Sequence, residues 1–423
     1  MIKDRTYMCI DMKSFFASVE CAERGLNPMT TNLVVADSTR GTGTICLAVS
    51  PSMKALGVKN RCRVFQIPTN IEYITAPPRM QKYIEYAAEI YGIYLELIDK
   101  DDIHVYSIDE SFIDVTDYLV LYKKTAKEFA KQLTGEIARR LKIPATVGIG
   151  TNLYLAKIAL DITAKKSPEH IGYLDEAAYI ETLSHHRPIT DFWGIAGGTA
   201  KRLEKYGIFD MAGIAKCPED ILYREFGVNA ELIIDHAHGR ESCLMRDIKN
   251  YKTKSRSISN SQVLFRDYAF EEARLVVEEM VRSGCQELMR RNKITDNVNI
   301  YVGYSGRDVD SVHAHKRMNI RTNLPQKIMP FAMELYDKKV DRSLTIRRLG
   351  IGFDDVVDSR LEGYDLFTDI EQVEKEKSVS KTILDLQQKF GRNAVVMASD
   401  LQSHATLMER NRLIGGHRAN DEP

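Results

Sequence analysis

Long apolar runs are missing from this 423-residue chain, and nothing in it approaches the roughly 18 uninterrupted apolar residues of a membrane span. The opening MIKDRTYMCIDMKSFF breaks its apolar positions with charges, which argues against a secretory leader. Cysteine is sparse: seven residues, an odd number, with no CxxC spacing. That pattern excludes a disulfide framework or a zinc site and predicts free thiols in a reducing cytoplasm. Low-complexity tracts are absent as well. Net charge is zero, with 59 Lys and Arg against 59 Asp and Glu, so no global charge speaks for a nucleic-acid partner. What remains is 44% hydrophobic and 28% charged, the profile of an ordinary soluble globular protein. At roughly 100–200 residues per domain the length predicts two to four domains.

Charge is nevertheless uneven. Residues 251–355 hold 19 Lys and Arg against 14 Asp and Glu, and a basic run (Arg246, Lys249, Lys252, Lys254, Arg256) stands at the entrance to that segment. Such a patch suits phosphate contacts or, equally, a solvated linker. Tyr7–Ile10 reads as a short buried strand ending on Asp11, and MKSFFASVECAERGL after it has helical spacing. Further strands are predicted at LVVAD, ICLAV and ATVGIG, and helices at 79–97, 125–141 and TNLYLAKIALDIT. HVYSIDESFIDVTD reads as a hairpin bending near Asp109–Glu110. Residues 180–239 are mostly helical. From about Ser255 strands and helices alternate in a βαββαβ-like order, which describes a separate α+β domain.

Asp11 is unusual because an acid closing a buried strand needs partners. If its strand lies beside the hairpin, Asp11, Asp109 and Glu110 converge and raise one another's pKa values unless cations neutralise them. Oxygen-only ligands suit Mg²⁺, and two such ions clamp an in-line phosphoryl displacement. Spacing alone equally allows Asp11 to cap the following helix and Asp109–Glu110 to be a solvated turn.

The strings CIDMKSFFASVE and YSIDESFIDVTD resemble the two catalytic motifs of Y-family DNA polymerases, in order and at comparable separation. TVGIGTNLYLAKIALD is similar to the third motif, KALGVKNRCRVFQIP to the fingers, FWGIAGGTAKRLEKYGI to the thumb's helix-hairpin-helix, and RNRLIGGHRA to the end of UmuC-type members. The resemblance runs through most of the chain. It implies an α+β multidomain right-hand polymerase with an α/β palm (1–22 and 76–168), small fingers (23–75), a helical helix-hairpin-helix thumb (169–245), a linker (246–254), an α+β little finger (255–356) and a C-terminal tail (357–423). It further implies error-prone translesion synthesis in a bacterial damage (SOS) response.

By the same resemblance, Asp11, Asp109, Glu110 and the backbone carbonyl of Met12 hold two Mg²⁺ ions. Phe15 and Phe16 border the nucleotide, Phe16 as the steric gate against a 2′-hydroxyl, and backbone amides around Ser14–Phe16 meet the triphosphate. Lys54 and Lys157 approach the phosphates. Ala48 and Pro51 depart from the threonine and tyrosine of better-known members, and Pro51 offers neither hydroxyl nor backbone donor. Gly194, Ile195 and Gly197 form a turn toward a DNA phosphate, although Ala196 replaces a glycine there and an ordinary helix connection is also glycine-rich. Lys252, Lys254, Arg256, Arg317 and Arg321 follow the DNA backbone. Asp365, Leu366 and Phe367 resemble a sliding-clamp-binding peptide that lacks its glutamine. The expected partners are primer-template DNA, deoxynucleoside triphosphates, the clamp and SOS accessory proteins, with no membrane. A nucleotidyl cyclase and a non-catalytic DNA-binding relative are the rival readings. The first has no use for a helix-hairpin-helix or a basic extra domain, and the second is expected to have lost an acid or Lys157.

Overall fold

The computed structural model describes residues 5–253, 255–306, 309–363 and 368–420. Two compact units emerge: Met1–Lys252 together with His417–Pro423, and Thr253–Gly416.

The first unit begins with β1 (Tyr7–Met12), α1 (Phe15–Glu23), β2 (Leu33–Val35), β3 (Ala48–Val49), α2 (Pro51–Ala55), β4 (Ile74–Ala76) and α3 (Met80–Leu95). It continues through β5 (Ile103–Val105), β6 (Glu110–Asp114), α4 (Thr116–Leu121), α5 (Ala126–Leu141), β7 (Ala145–Gly150), α6 (Leu153–Ile158), α7 (Ala164–Lys166) and β8 (Ile171–Leu174). A helical series follows: α8 (Glu176–Leu183), α9 (Gly197–Glu204), α10 (Met211–Lys216), α11 (Glu219–Phe226), α12 (Asn229–Ala237) and α13 (Met245–Asn250). That last helix stands where a linker was expected, and its Met245 is buried.

The main sheet has the order β5-β6-β1-β7-β8, so β1 is central and antiparallel to both neighbours. Period-two alternation divides the side chains of β1 between two faces. Met8, Ile10 and Met12 join the core with residues of α1, α3 and α5. Tyr7 and Cys9 face the other way, onto Phe112 and onto Leu153, Ala156 and Leu160 of the α6 region. Asp11 continues this second row. Helix α5 shows why these elements form where they do. Thr125 and Glu128 exchange capping-box bonds at its start, and Phe129, Ala130, Leu133 and Ile137 repeat at helical spacing on its buried face.

Helix α6 lies directly on β7 because two glycines leave it room. A Cβ at Gly148 would fall 2.1 Å from the Ala156 carbonyl oxygen, and one at Gly150 2.2 Å from the Ala156 nitrogen. A smaller sheet, order β3-β2-β4, packs its own cluster of Val34, Cys46, Val49, Met53 and Ile67. The end of the chain belongs to this unit as well. Gln81 N–H donates to the Ala419 carbonyl (2.9 Å), and Arg418 reaches Asp37 (3.3 Å) and Thr39 (3.0 Å).

The second unit contains β9 (Ile258–Tyr268), α14 (Phe270–Arg290), β10 (Lys293–Tyr304), β11 (Val312–Thr322), α15 (Pro325–Lys339), β12 (Ile346–Asp354) and α16 (Ile370–Phe390). Its sheet, order β11-β10-β12-β9, is covered by α14 and α15, in the βαββαβ order predicted. Part of the expected tail packs here too. Glu279 of α14, fully buried, accepts from the Thr406 N–H (3.0 Å) and hydroxyl (2.8 Å).

The close approach of α6 gives a stability test. Gly148→Ala and Gly150→Ala are each expected to cost about 3 kcal/mol, the upper end of overpacking effects, in urea unfolding. Gly135→Ala in α5, where an added Cβ meets open space, is expected to stabilise by about 0.5–1 kcal/mol.

Candidate active site

The β1–β6 ladder sets Asp11 directly opposite Glu110. Asp109 precedes Glu110 on a bend, and its carbonyl accepts from Met12 N–H at 2.9 Å. Ser107 hydroxyl donates to the Asp109 carboxylate at 2.6 Å. Three carboxylates therefore share one end of the sheet. Burial, reinforced by the charges of Asp109 and Glu110, lifts Asp11 to about 7 against the pull of Lys157.

Lys157 comes from α6, whose start is capped by Asn152. Its ammonium sits 2.8 Å from Glu110 Oε1 and 2.9 Å from Oε2, with Asp161 at 3.2 Å. Burial alone would lower this lysine, but the bond to Glu110 and the charge of Asp161 raise it overall. Cys9 Sγ donates to Glu110 Oε1 at 3.1 Å, and burial with the Glu110 charge pushes that thiol well up. Asp161 lies in a π-helical turn over Ala159–Thr163 that continues α6, an irregularity frequent near functional sites.

Phe15 and Phe16 point in different directions, as a helical step of about 100° requires. Phe15 is buried in the core, whereas Phe16 is half-buried and stacks on Tyr83 of α3 (centroids 4.6 Å apart, planes at 26°). The Tyr83 hydroxyl donates to Glu20 at 2.8 Å, and Arg79 donates to both Glu20 oxygens at 2.9 Å. Arg24 adds an ion pair. Burial by itself would raise Glu20, but these donors outweigh it and hold the carboxyl below its ordinary value.

Ser14, at the start of α1, has left-handed backbone (φ 47°), and its buried hydroxyl has no partner. Lys54 projects from α2. Desolvation lowers it, while Asp11 and Asp109 pull in the opposite direction. Lys13 is likewise lowered by burial and by Lys54, with Asp11 opposing. Pro51 is the first residue of α2 and Ala48 lies in β3; Ser50 caps the helix by accepting from Met53 N–H.

The remaining expected contacts lie elsewhere. Gly194 (φ 89°) and exposed Ala196 lead into α9, which begins at Gly197, and Ile195 is buried. Lys252 and Arg256 are exposed. Arg317 and Arg321 are both on β11 and both reach Asp296 (3.1 and 3.2 Å), whose other oxygen is buried without a partner. Lys254 and the Asp365–Phe367 peptide fall outside the described residues. Sequence reasoning passed over Lys13, Cys9, Tyr83, Glu20 and Asp161. Only Asp161 carried a local signal, four residues beyond Lys157.

Comparison with known proteins follows the same lines. Residues 10–161 match the model of the impB/mucB/samB family, and residues 255–366 match that family's C-terminal domain. The putative UV-damage repair protein UvrX of Bacillus subtilis is 30% identical, with 98% of each chain covered. DNA polymerase IV 2 of the same organism is also 30% identical, over 99% of this chain and all of the relative. The chain belongs to the impB/mucB/samB family of Y-family DNA polymerases. Its fold agrees: the Y-family DNA polymerase chimera Dbh-Dpo4(243-245)-Dbh superposes with a TM-score of 0.64 at 22% identity, over 84% of this chain and 99% of that one. The Y-family member described here is thus a DNA-directed DNA polymerase, and DNA is its substrate. Among the described residues no helix is long and apolar enough to cross a membrane.

The charge crowding at Asp11 has a measurable consequence. A carboxyl raised from 3.8 to about 7 binds more protons folded than unfolded across that window, so folding stability falls as pH rises through it. With a chelator present, Asp11→Asn is expected to melt above the wild type at pH 8 by on the order of 3 °C, a gap that closes toward pH 4. Thermal melts at the two pH values check this.

Proposed function

We propose that this polymerase extends primers across damaged template bases as part of a DNA-damage (SOS) response, with Asp11, Asp109 and Glu110 as its metal-holding acids. The observation that carries the reading is the pairing of Asp11 with Glu110 beside Asp109, in a pocket of charge that lifts Asp11 to about 7. Carboxylates alone make a hard-oxygen donor set suited to Mg²⁺, and a cation there would relieve their repulsion. Among the described residues no three such side chains are drawn tightly enough to enclose an ion, because Glu110 is turned to Lys157 and Cys9. The chemistry of the donor set fits, and we assign two Mg²⁺ to Asp11, Asp109, Glu110 and the Met12 carbonyl. Bound there, Mg²⁺ supplies charge stabilisation at the attacking and leaving oxygens of the displacement.

The protein's own groups do the rest. Lys157 shares its charge between Glu110 and Asp161, so an arriving triphosphate competes with two carboxylates for it. Lys54 offers an exposed cation, and half-buried Lys13 a second one near Asp11. The unpartnered Ser14 hydroxyl and the N–H groups at the start of α1 suit a phosphate oxygen. Phe16, propped by Tyr83, is the sugar gate; Phe15 supports it from the core.

In this reading the main sheet is the palm, residues 23–75 the fingers, the helices from α8 to α12 the thumb and the second unit the little finger. Gly194, Ile195 and Gly197 present backbone to a phosphate, and Lys252, Lys254, Arg256, Arg317 and Arg321 add charge. Asp365, Leu366 and Phe367 dock on the sliding clamp.

Primer extension on undamaged and abasic templates tests the core of this. The Asp109→Ala/Glu110→Ala variant is expected to lose extension by at least about 10³-fold while keeping DNA affinity. Wild-type rates in that variant would overturn the assignment. Phe16→Ala is expected to admit ribonucleotides, read as a fall of about tenfold or more in the deoxy-to-ribo ratio of kcat/KM.

A further inference from the structure

The bend that carries Asp109 has little to hold its outer end. Tyr106 and Ser107 N–H groups donate back to the Glu110 carbonyl (3.0 and 3.1 Å), and Ser107 bonds the Asp109 carboxylate. Met12 N–H holds the Asp109 carbonyl (2.9 Å), and on its outer side the bend presents Tyr106, 47% exposed, which packs on Phe112 (5.6 Å) and, in the helical region, on Trp193. Trp193 is the only tryptophan in the chain. Its indole N–H donates to the Tyr106 hydroxyl at 3.2 Å, and the two rings meet edge-to-face at 6.1 Å and 80°. The same indole lies 6.2 Å from Phe112 of β6 and 6.3 Å from His236 of α12. His236 stacks in turn on Tyr154 of α6 at 3.8 Å. Trp193 immediately precedes Gly194, whose left-handed backbone opens the turn into α9.

We infer that Trp193 and Tyr106 are positioning residues of the polymerase reaction, a link that fixes the Asp109 bend to the glycine turn at Gly194–Gly197. An edge-to-face aromatic pair with a hydrogen bond across it has a defined geometry, unlike an aliphatic contact. A turn displaced by a bound phosphate moves the indole, and the indole moves Tyr106 and the bend. The inference rests on Asp109 being a metal-holding acid and on the turn facing DNA.

Single-turnover incorporation of one deoxynucleotide, with Mg²⁺ titrated, tests it in wild type, Tyr106→Phe, Trp193→Phe and Asp109→Ala. Tyr106→Phe keeps the ring and, at a half-exposed position, the fold; Trp193→Phe keeps an aromatic but loses the donor. Both are expected to lower the maximal rate about tenfold and to raise the Mg²⁺ half-saturation, with KM for the nucleotide nearly unchanged. A second readout needs no turnover. Primer-template added without Mg²⁺ is expected to shift the Trp193 emission in wild type, and the shift is expected to shrink in Tyr106→Phe. If both variants match wild type in rate and Mg²⁺ dependence, the contact is packing alone and the inference fails. If Asp109→Ala also extends at the wild-type rate, the assignment of Asp109 fails instead.

Discussion

Three carboxylates, two on adjacent strands and one on the bend between β5 and β6, repel one another, and the architecture of the first unit is organised around that repulsion. The β1–β6 register fixes Asp11 against Glu110, and a slip of one residue would exchange Asp11 for Ile10 and drive a charge into the core. The two glycines of β7 let α6 settle onto the sheet, which brings the Lys157 ammonium to Glu110. Without that cation a carboxylate only 9% exposed would stand uncompensated. A divalent cation bound at these carboxylates would answer the same physical need as the lysine. Glu110 accordingly turns toward Lys157, while burial and the charges of Asp109 and Glu110 lift Asp11 to about 7.

Much of this was legible in the sequence, and the pattern of what was missed is physical. The strands at Tyr7–Met12 and Ala145–Gly150 read clearly as apolar runs closed by an acid or by glycines, and helix α5 carried its capping box in the sequence. The βαββαβ order of the second unit followed from alternating periods. What sequence does not carry is the pairing of distant polar groups. Glu20 reads as one more helical acid until Arg79 and Tyr83, 59 and 63 positions away, are seen to enclose it. The segment after α16 reads as tail until Thr406 is seen to bond buried Glu279, 127 positions away. Helix α13 reads as linker in the sequence because its six residues are mostly charged or polar and only Met245 is buried.

The adjacent phenylalanines show how a buried network shapes a surface side chain. Phe15 is fixed by the core, so Phe16 is left about 100° around the helix with one broad face to lean on. Tyr83 provides that face, and Tyr83 is held by Glu20, itself pinned by two arginines. A ring backed this way has little conformational freedom left, because that freedom has already been spent in folding. Rigidity at Phe16 thus originates in the buried Glu20 carboxylate two steps away.

The region of the small sheet is built differently. The small sheet of β2, β3 and β4 gathers a core of seven buried side chains, and α2 spans five residues. Pro51 at its first position gives up a donor, and Lys54 extends from it into water. The returning Arg418 and Ala419 tie this region to α3 through Asp37, Thr39 and Gln81, and these are polar, partly exposed bonds. Surface ion pairs of this kind contribute little each and weaken with salt. Stiffness in the first unit is therefore unevenly distributed: the Glu20 network fixes α1 and α3 from within, whereas the small sheet is held to α3 by individually weak polar bonds.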